Sequence, residues 1–139
     1  MTSSKIEAVF PAVLSELHNM LNFIKKSAEF HDLQKDKMLK MELACEELLV
    51  NIISYAYQGS PGNISISCLG SAEILEVVIK DSGFSFNPFT AVIDLQENLS
   101  LRERQLGGLG IFLAKNSVDE FSYERQGKYN VVSLKIRNT

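Results

Sequence analysis

The chain has 139 residues, of which 45% are hydrophobic and 22% charged, with a formal net charge of −3. That length and composition suit one globular unit, residues 1–139, built on one core. A weakly acidic surface has no basic field to attract a phosphate backbone, so nucleic-acid binding is not expected as the main activity.

"KIEAVF" alternates Ile6, Ala8 and Phe10 and reads as a short strand. Pro11 suits the first turn of a helix. From Ala12 to about Phe30 the apolar residues Val13, Leu14, Leu17, Leu21, Ile24 and Ala28 make a helical stripe. The polar "HDLQKDK" turns the chain into a second helix, about Lys35 to Tyr57, with Met38, Met41, Cys45, Leu48, Ile52 and Tyr55 three or four apart. "QGSPGN" ends it with turn residues. "NISISCL" and "EILEVVIK" then alternate as two strands, joined through "LGSAE" as a hairpin.

From Asp81 to Leu106 no period persists, which is long for a structureless loop and fits a lid or binding loop. Gly107, Gly108 and Gly110 follow, and then a helical run to about Val118. "EFSYER" and "YNVVSLKIR" close the chain as two strands around Gly127. Helices beside such a sheet predict an α+β fold, a two-layer sandwich with a mixed, mostly antiparallel sheet.

Cys45 and Cys68, the two cysteines, fall within periodic segments and read as small buried hydrophobes. His18 and His31 have no partner at ligand spacing, so no metal site is expected on histidine or cysteine. "MTSSKIEAVF" has no signal-peptide pattern, and no stretch is long and apolar enough to span a bilayer. A cytoplasmic protein with no membrane role is the expectation.

Three motifs carry chemistry. In "ELACEELLVNIISYAY", Glu47 and Asn51 are four apart and share a helix face among apolar neighbours. Taken alone, the pair reads first as a surface ion-pair or amide contact. Glu46 points about 100° away around the helix, toward solvent. The strand "EVVIK" runs into "DSGFSFNPF", where Asp-Ser-Gly is also a common turn. The glycine cluster is either a tight connection or a place where a phosphate reaches free N–H groups at a helix start.

The order of these motifs is more specific than any one of them. A helical E-x-x-x-N, a strand-end D-x-G, a long lid and G-G-x-G opening a helix resemble the GHKL (Bergerat-fold) ATP-binding superfamily of gyrase, the histidine kinases and MutL. The finer resemblance is to its small single-domain branch, the bacterial anti-sigma factor serine-protein kinases. "GGLGIFLAKNSVDEFSYER" and "FNPF" carry it, and it extends over nearly the whole chain.

The resemblance implies an ATP site with Mg²⁺ as cofactor. Asn51 would hold Mg²⁺, and Glu47 would be the general base. Asp81 would accept the adenine amino hydrogen, with Gly83 allowing close approach. Gly107, Gly108 and Gly110 would meet the phosphates. Asn130 stands in the place of a threonine near adenine, and Tyr129 where many relatives have glycine. Ser85 replaces the second glycine of D-x-G-x-G, and Asn87 the usual Asp before Pro88.

The implied partners are a sigma factor, held inactive, and an anti-anti-sigma (STAS-type) protein phosphorylated on serine. A homodimer is also implied, although no stripe marks its surface. An ATP-dependent binding switch without turnover is the alternative. A histidine-kinase catalytic domain is disfavoured, because no dimerising helix pair with a phosphoacceptor histidine precedes the motifs.

Overall fold

The computed structural model describes residues 4–57, 60–85, 87 and 115–138. Strand β1 (Ser4–Pro11) leads through a short 3₁₀ turn (Leu14–Glu16) into helix α1 (Leu17–Phe30). Helix α2 (Lys35–Asn51) continues as a π-helical turn over Ile52–Ala56. Strands β2 (Asn63–Gly70) and β3 (Ile74–Asp81) follow, and β4 (Glu120–Gln126) and β5 (Tyr129–Arg137) come last.

Among the described residues, the strands form one five-stranded sheet in the order β1-β2-β3-β5-β4, and every pairing is antiparallel. Two long helices among those residues lie on this sheet and make the expected two-layer α+β arrangement. The period-2 alternation decides which face meets the helices. Ile64, Ile66, Cys68, Leu75, Val77, Ile79, Val132, Leu134 and Ile136 point inward and are buried. From the helices, Met20, Ile24, Ala28, Met41, Ala44, Cys45, Leu48 and Ile52 meet them. Each fully buried Leu or Ile contributes about 1.5–3 kcal/mol relative to exposure. The alternate residues line the other face of the sheet. There Lys135 pairs with Glu120 at 3.3 Å and Glu76 at 3.6 Å across one row.

Three expectations shift. Pro11 ends β1 opposite Asn63 instead of opening a helix, and the helical stripe begins in earnest at Leu17. Pro11 cannot donate to a ladder, and an edge strand tolerates that. Val13 and Leu14, the first members of the expected stripe, are therefore exposed. Ile6 is exposed as well, because β1 is an edge strand. At the far end of α2, the wider π turn rotates Tyr55 outward and buries Ala56 and Tyr57 instead. A π turn within an α-helix often accompanies a functional site. The helix expected after the glycines is described only at residues 115–117, followed by buried Val118.

Candidate functional site

Asp81, Gly83 and Asn130 meet at one end of the sheet, where the loop after β3 bonds to the π turn that continues α2. Asn51 is the last α-helical residue and is buried. Its Nδ2 donates to the Glu47 carbonyl at 2.6 Å, so the amide folds back on its own helix. That orientation leaves Oδ1, a hard oxygen, as the end available to a cation. Glu47, one turn earlier, is half-buried while Glu46 is exposed. Burial raises the Glu47 carboxyl above its ordinary value, and the neighbouring Glu46 charge adds to this.

The π turn positions the loop that follows β3. Phe84 N–H donates to the Ala56 carbonyl at 2.8 Å. A Cβ on Gly83 would lie 2.4 Å from that same carbonyl oxygen, so only glycine fits there without movement. The Tyr57 hydroxyl accepts from Ser82 N–H at 2.9 Å and donates to the Asn63 carbonyl, tying the loop to the start of β2. Its ring lies where a side chain at Gly62 would be, 2.1 Å from the nearest ring carbon.

Asp81, the last residue of β3, is buried. Its Oδ1 accepts from Gly83 N–H at 2.9 Å and from Asn130 Nδ2 at 2.9 Å. No described residue bonds its Oδ2, which is the acceptor left for a ligand. Burial raises the Asp81 carboxyl, and the Asn130 amide, the Gly83 N–H and the Arg125 charge pull it back. Asn130 lies directly opposite Asp81 in the sheet, and Arg125 directly opposite Asn130.

Sequence reasoning missed Tyr57, Tyr123 and Arg125. Tyr123 and Arg125 are two apart on β4, across a tight turn from Asn130. Gly127 opens that turn at φ 60° and Lys128 follows without a positive φ, the type II′ pattern. This hairpin register was the signal that could have found them.

A cavity of about 410 Å³ opens beside the loop, with Ala56, Tyr57, Ser82, Gly83, Phe84 and Arg125 in its wall. Glu47, Asn51, Asp81 and Asn130 do not line it, so it borders the loop and not the Asp81 carboxylate. Gly107, Gly108, Gly110 and most of the expected lid lie outside the described residues. Among the described residues, no group of three His, Cys, Asp or Glu is placed to hold a metal, and no helix is long and apolar enough to cross a membrane.

Described helices packed on one face of an antiparallel sheet are consistent with the histidine kinase-like ATPase fold. Residues 10–136 match the histidine kinase-like ATPase domain, and the chain belongs to that family. Within it, the chain is 28% identical over 95 residues to the serine/threonine-protein kinase BtrW of Bordetella bronchiseptica, a match covering 68% of this chain and 66% of BtrW. It is 28% identical over 104 residues to the serine-protein kinase RsbW of Listeria monocytogenes, covering 70% and 65%. It is 31% identical over 88 residues to RsbW of Bacillus mycoides, covering 61% and 55%. In each comparison the match spans less than two thirds of the relative's own length.

Proposed function

We propose that this chain is an ATP-dependent serine-protein kinase that also serves as an anti-sigma factor. One observation carries the nucleotide part of this reading. Asp81 is buried at a strand end, its Oδ1 is occupied by Gly83 and Asn130, and its Oδ2 remains to accept one hydrogen. An exocyclic amino group such as that of adenine supplies that hydrogen. The similarity to kinases named for serine supports the acceptor chemistry.

Asn51 Oδ1 would hold Mg²⁺, an oxygen-seeking ion that keeps several waters and takes its other ligands from phosphate. When bound, the ion neutralises the charge of the phosphates. Glu47 is the general base. A serine Oγ attacks the γ-phosphorus, the bond to the β,γ-bridging oxygen breaks and leaves ADP, and the serine proton passes to the Glu47 carboxylate. A carboxyl raised by partial burial is a stronger base than a solvated one, which suits that step. Gly107, Gly108 and Gly110 would meet the phosphates. The serine belongs to an anti-anti-sigma (STAS-type) partner, and a sigma factor is the protein held inactive.

The test is transfer of labelled phosphate to such a partner, beside calorimetric titration with ATP. Glu47→Ala is expected to slow transfer by roughly 10²–10⁴-fold, the worth of a positioned base, with ATP affinity nearly intact. Asn51→Ala is expected to lose Mg²⁺-dependent binding as well. Wild-type binding with no transfer to any serine partner would replace the kinase with an ATP-dependent binding switch. No binding at millimolar ATP would end the nucleotide reading.

A further inference from the structure

The sheet register places Ile64, Asp81, Asn130 and Arg125 in one cross-strand row. Asn130, 1% exposed, sits at its centre. Its Nδ2 donates to Asp81 Oδ1 at 2.9 Å and to the Phe84 carbonyl at 2.7 Å. Its Oδ1 accepts from the Tyr123 hydroxyl at 2.7 Å and from Arg125 Nη1 at 3.2 Å. Arg125 also donates from Nη1 to the Gly83 carbonyl at 2.9 Å and from Nε to the Gly127 carbonyl at 3.1 Å.

These partners allow the Asn130 amide one orientation. A guanidinium can only donate, and a carbonyl and an ionised carboxylate can only accept. Turned over, the amide would set its oxygen against Asp81 and Phe84 and its NH₂ against Arg125. The amide therefore relays the polarity of Arg125 to Asp81. The relay pins one carboxylate oxygen, aims the other, and favours the ionised form. An ionised Asp81 accepts and cannot donate. It matches the amino group of a 6-aminopurine and repels the carbonyl of a 6-oxopurine.

We propose that Tyr123 and Arg125 are positioning residues. Through Asn130 they set the orientation and charge of Asp81, and so determine that the site takes 6-amino over 6-oxo purine nucleotides. This rests on the nucleotide reading above and adds to it a source of base specificity on β4, a strand that carries none of the expected ATP-site residues.

Among the described groups, Arg125 is the charged side chain whose field acts on Asp81. Tyr57 and Tyr123 are the phenols in its network. The helix above carries Glu47, and Lys80 points to the opposite face over the Tyr129 ring. Loss of Arg125 thus removes the positive charge that favours ionisation, and the Asp81 carboxyl rises further. Binding that needs the ionised form is present above that pKa and lost as pH falls through it, so its acid limb must move to higher pH.

The experiment measures ATP and inosine triphosphate affinities from pH 4.5 to 8 for wild type, Arg125→Met, Tyr123→Phe and Arg125→Lys. The Asp81 carboxyl is titrated by carbon NMR in each nucleotide-free protein. Wild type is expected to prefer ATP by at least about 100-fold. Arg125→Met should raise both the acid limb and the NMR titration, because the Arg125 charge is one of the groups holding the Asp81 carboxyl down. It should also cut the ATP preference about tenfold. Tyr123→Phe should move both in the same sense by less, and Arg125→Lys should return the limb toward wild type. An acid limb and NMR titration unmoved in Arg125→Met overturn the proposal, whatever happens to affinity. So does an unchanged preference between the two nucleotides. If wild type binds neither nucleotide, the nucleotide reading falls and this proposal with it.

Discussion

Two asparagines on or just beyond β5, eight positions apart, fasten opposite ends of the sheet, and they do so differently. Asn138 joins the α1–α2 turn to the β2–β3 hairpin. Its Oδ1 accepts from Gln34 N–H at 2.8 Å, and its Nδ2 donates to the carbonyls of Asp32 at 3.0 Å and Ala72 at 3.3 Å. Its own N–H donates to the Glu73 carbonyl at 2.8 Å, and its carbonyl accepts from Gln34 Nε2 at 3.0 Å. Every one of those partners is neutral and most are backbone. Asn130 makes a comparable set of bonds, but to a carboxylate, a guanidinium and a phenol. The number of bonds does not distinguish a fastening from a site. The difference lies in charge held under cover. Neutral backbone partners close a chain turn, whereas a carboxylate with one oxygen pinned and the other bonded by no described residue keeps an acceptor open to a ligand.

The largest break in this contrast should come from Gly83→Val. The new Cβ would meet the Ala56 carbonyl oxygen at 2.4 Å, and backbone cannot yield there as a flexible side chain could. The loop must shift, loosening the Gly83 N–H bond to Asp81. ATP affinity is expected to fall by about 1–3 kcal/mol, the range for overpacking, as read by calorimetry. Asn138→Ala should do the reverse. It should lower unfolding stability by about 1 kcal/mol in a denaturant titration, the net worth of a neutral hydrogen bond. ATP affinity should stay within twofold of wild type. A drop in affinity equal to that of Gly83→Val would show that the two ends are coupled.

The smallest effect concerns Glu47. Its carboxyl is raised in the folded chain, so the folded state binds more protons than the unfolded state in the window just above the ordinary carboxylate value. Stability from this group is present at acid pH and declines as pH rises through the folded pKa. Glu47→Gln removes that decline. It should therefore be more stable than wild type at pH 7 by a few tenths of a kcal/mol, a modest figure because the group is half in solvent. The gap should close below about pH 4.5, and denaturant melts at both pH values read it directly. A carboxylate kept at a cost to stability is the pattern expected of a functional position, as the proposed role of Glu47 requires.

Much of this molecule was legible in one dimension. Both helices, all five strands and the E-x-x-x-N and D-x-G motifs follow from local spacing, because burying one face imposes a period of 3.6 or 2 on whatever residues are present. The order of the motifs was enough to indicate the family. Pro11 misled because its fixed φ suits a helix start and an edge strand equally, and only the neighbouring strand decides. The π turn was hidden as well. A stripe ending at Tyr55 and one ending at Ala56 differ by one residue in one turn, and packing selects between them.

By itself, the sequence determined most of the described elements and the order in which Glu47, Asn51, Asp81 and Gly83 follow one another along the chain. Tertiary structure alone decided that β5 lies between β3 and β4. That choice sets Asn130 opposite Asp81 and Arg125 opposite Asn130, residues 49 and 5 positions apart along the chain. Periodicity is a local property of the chain. Strand order and register are settled by which apolar faces can be buried together, and no window along the sequence contains that information.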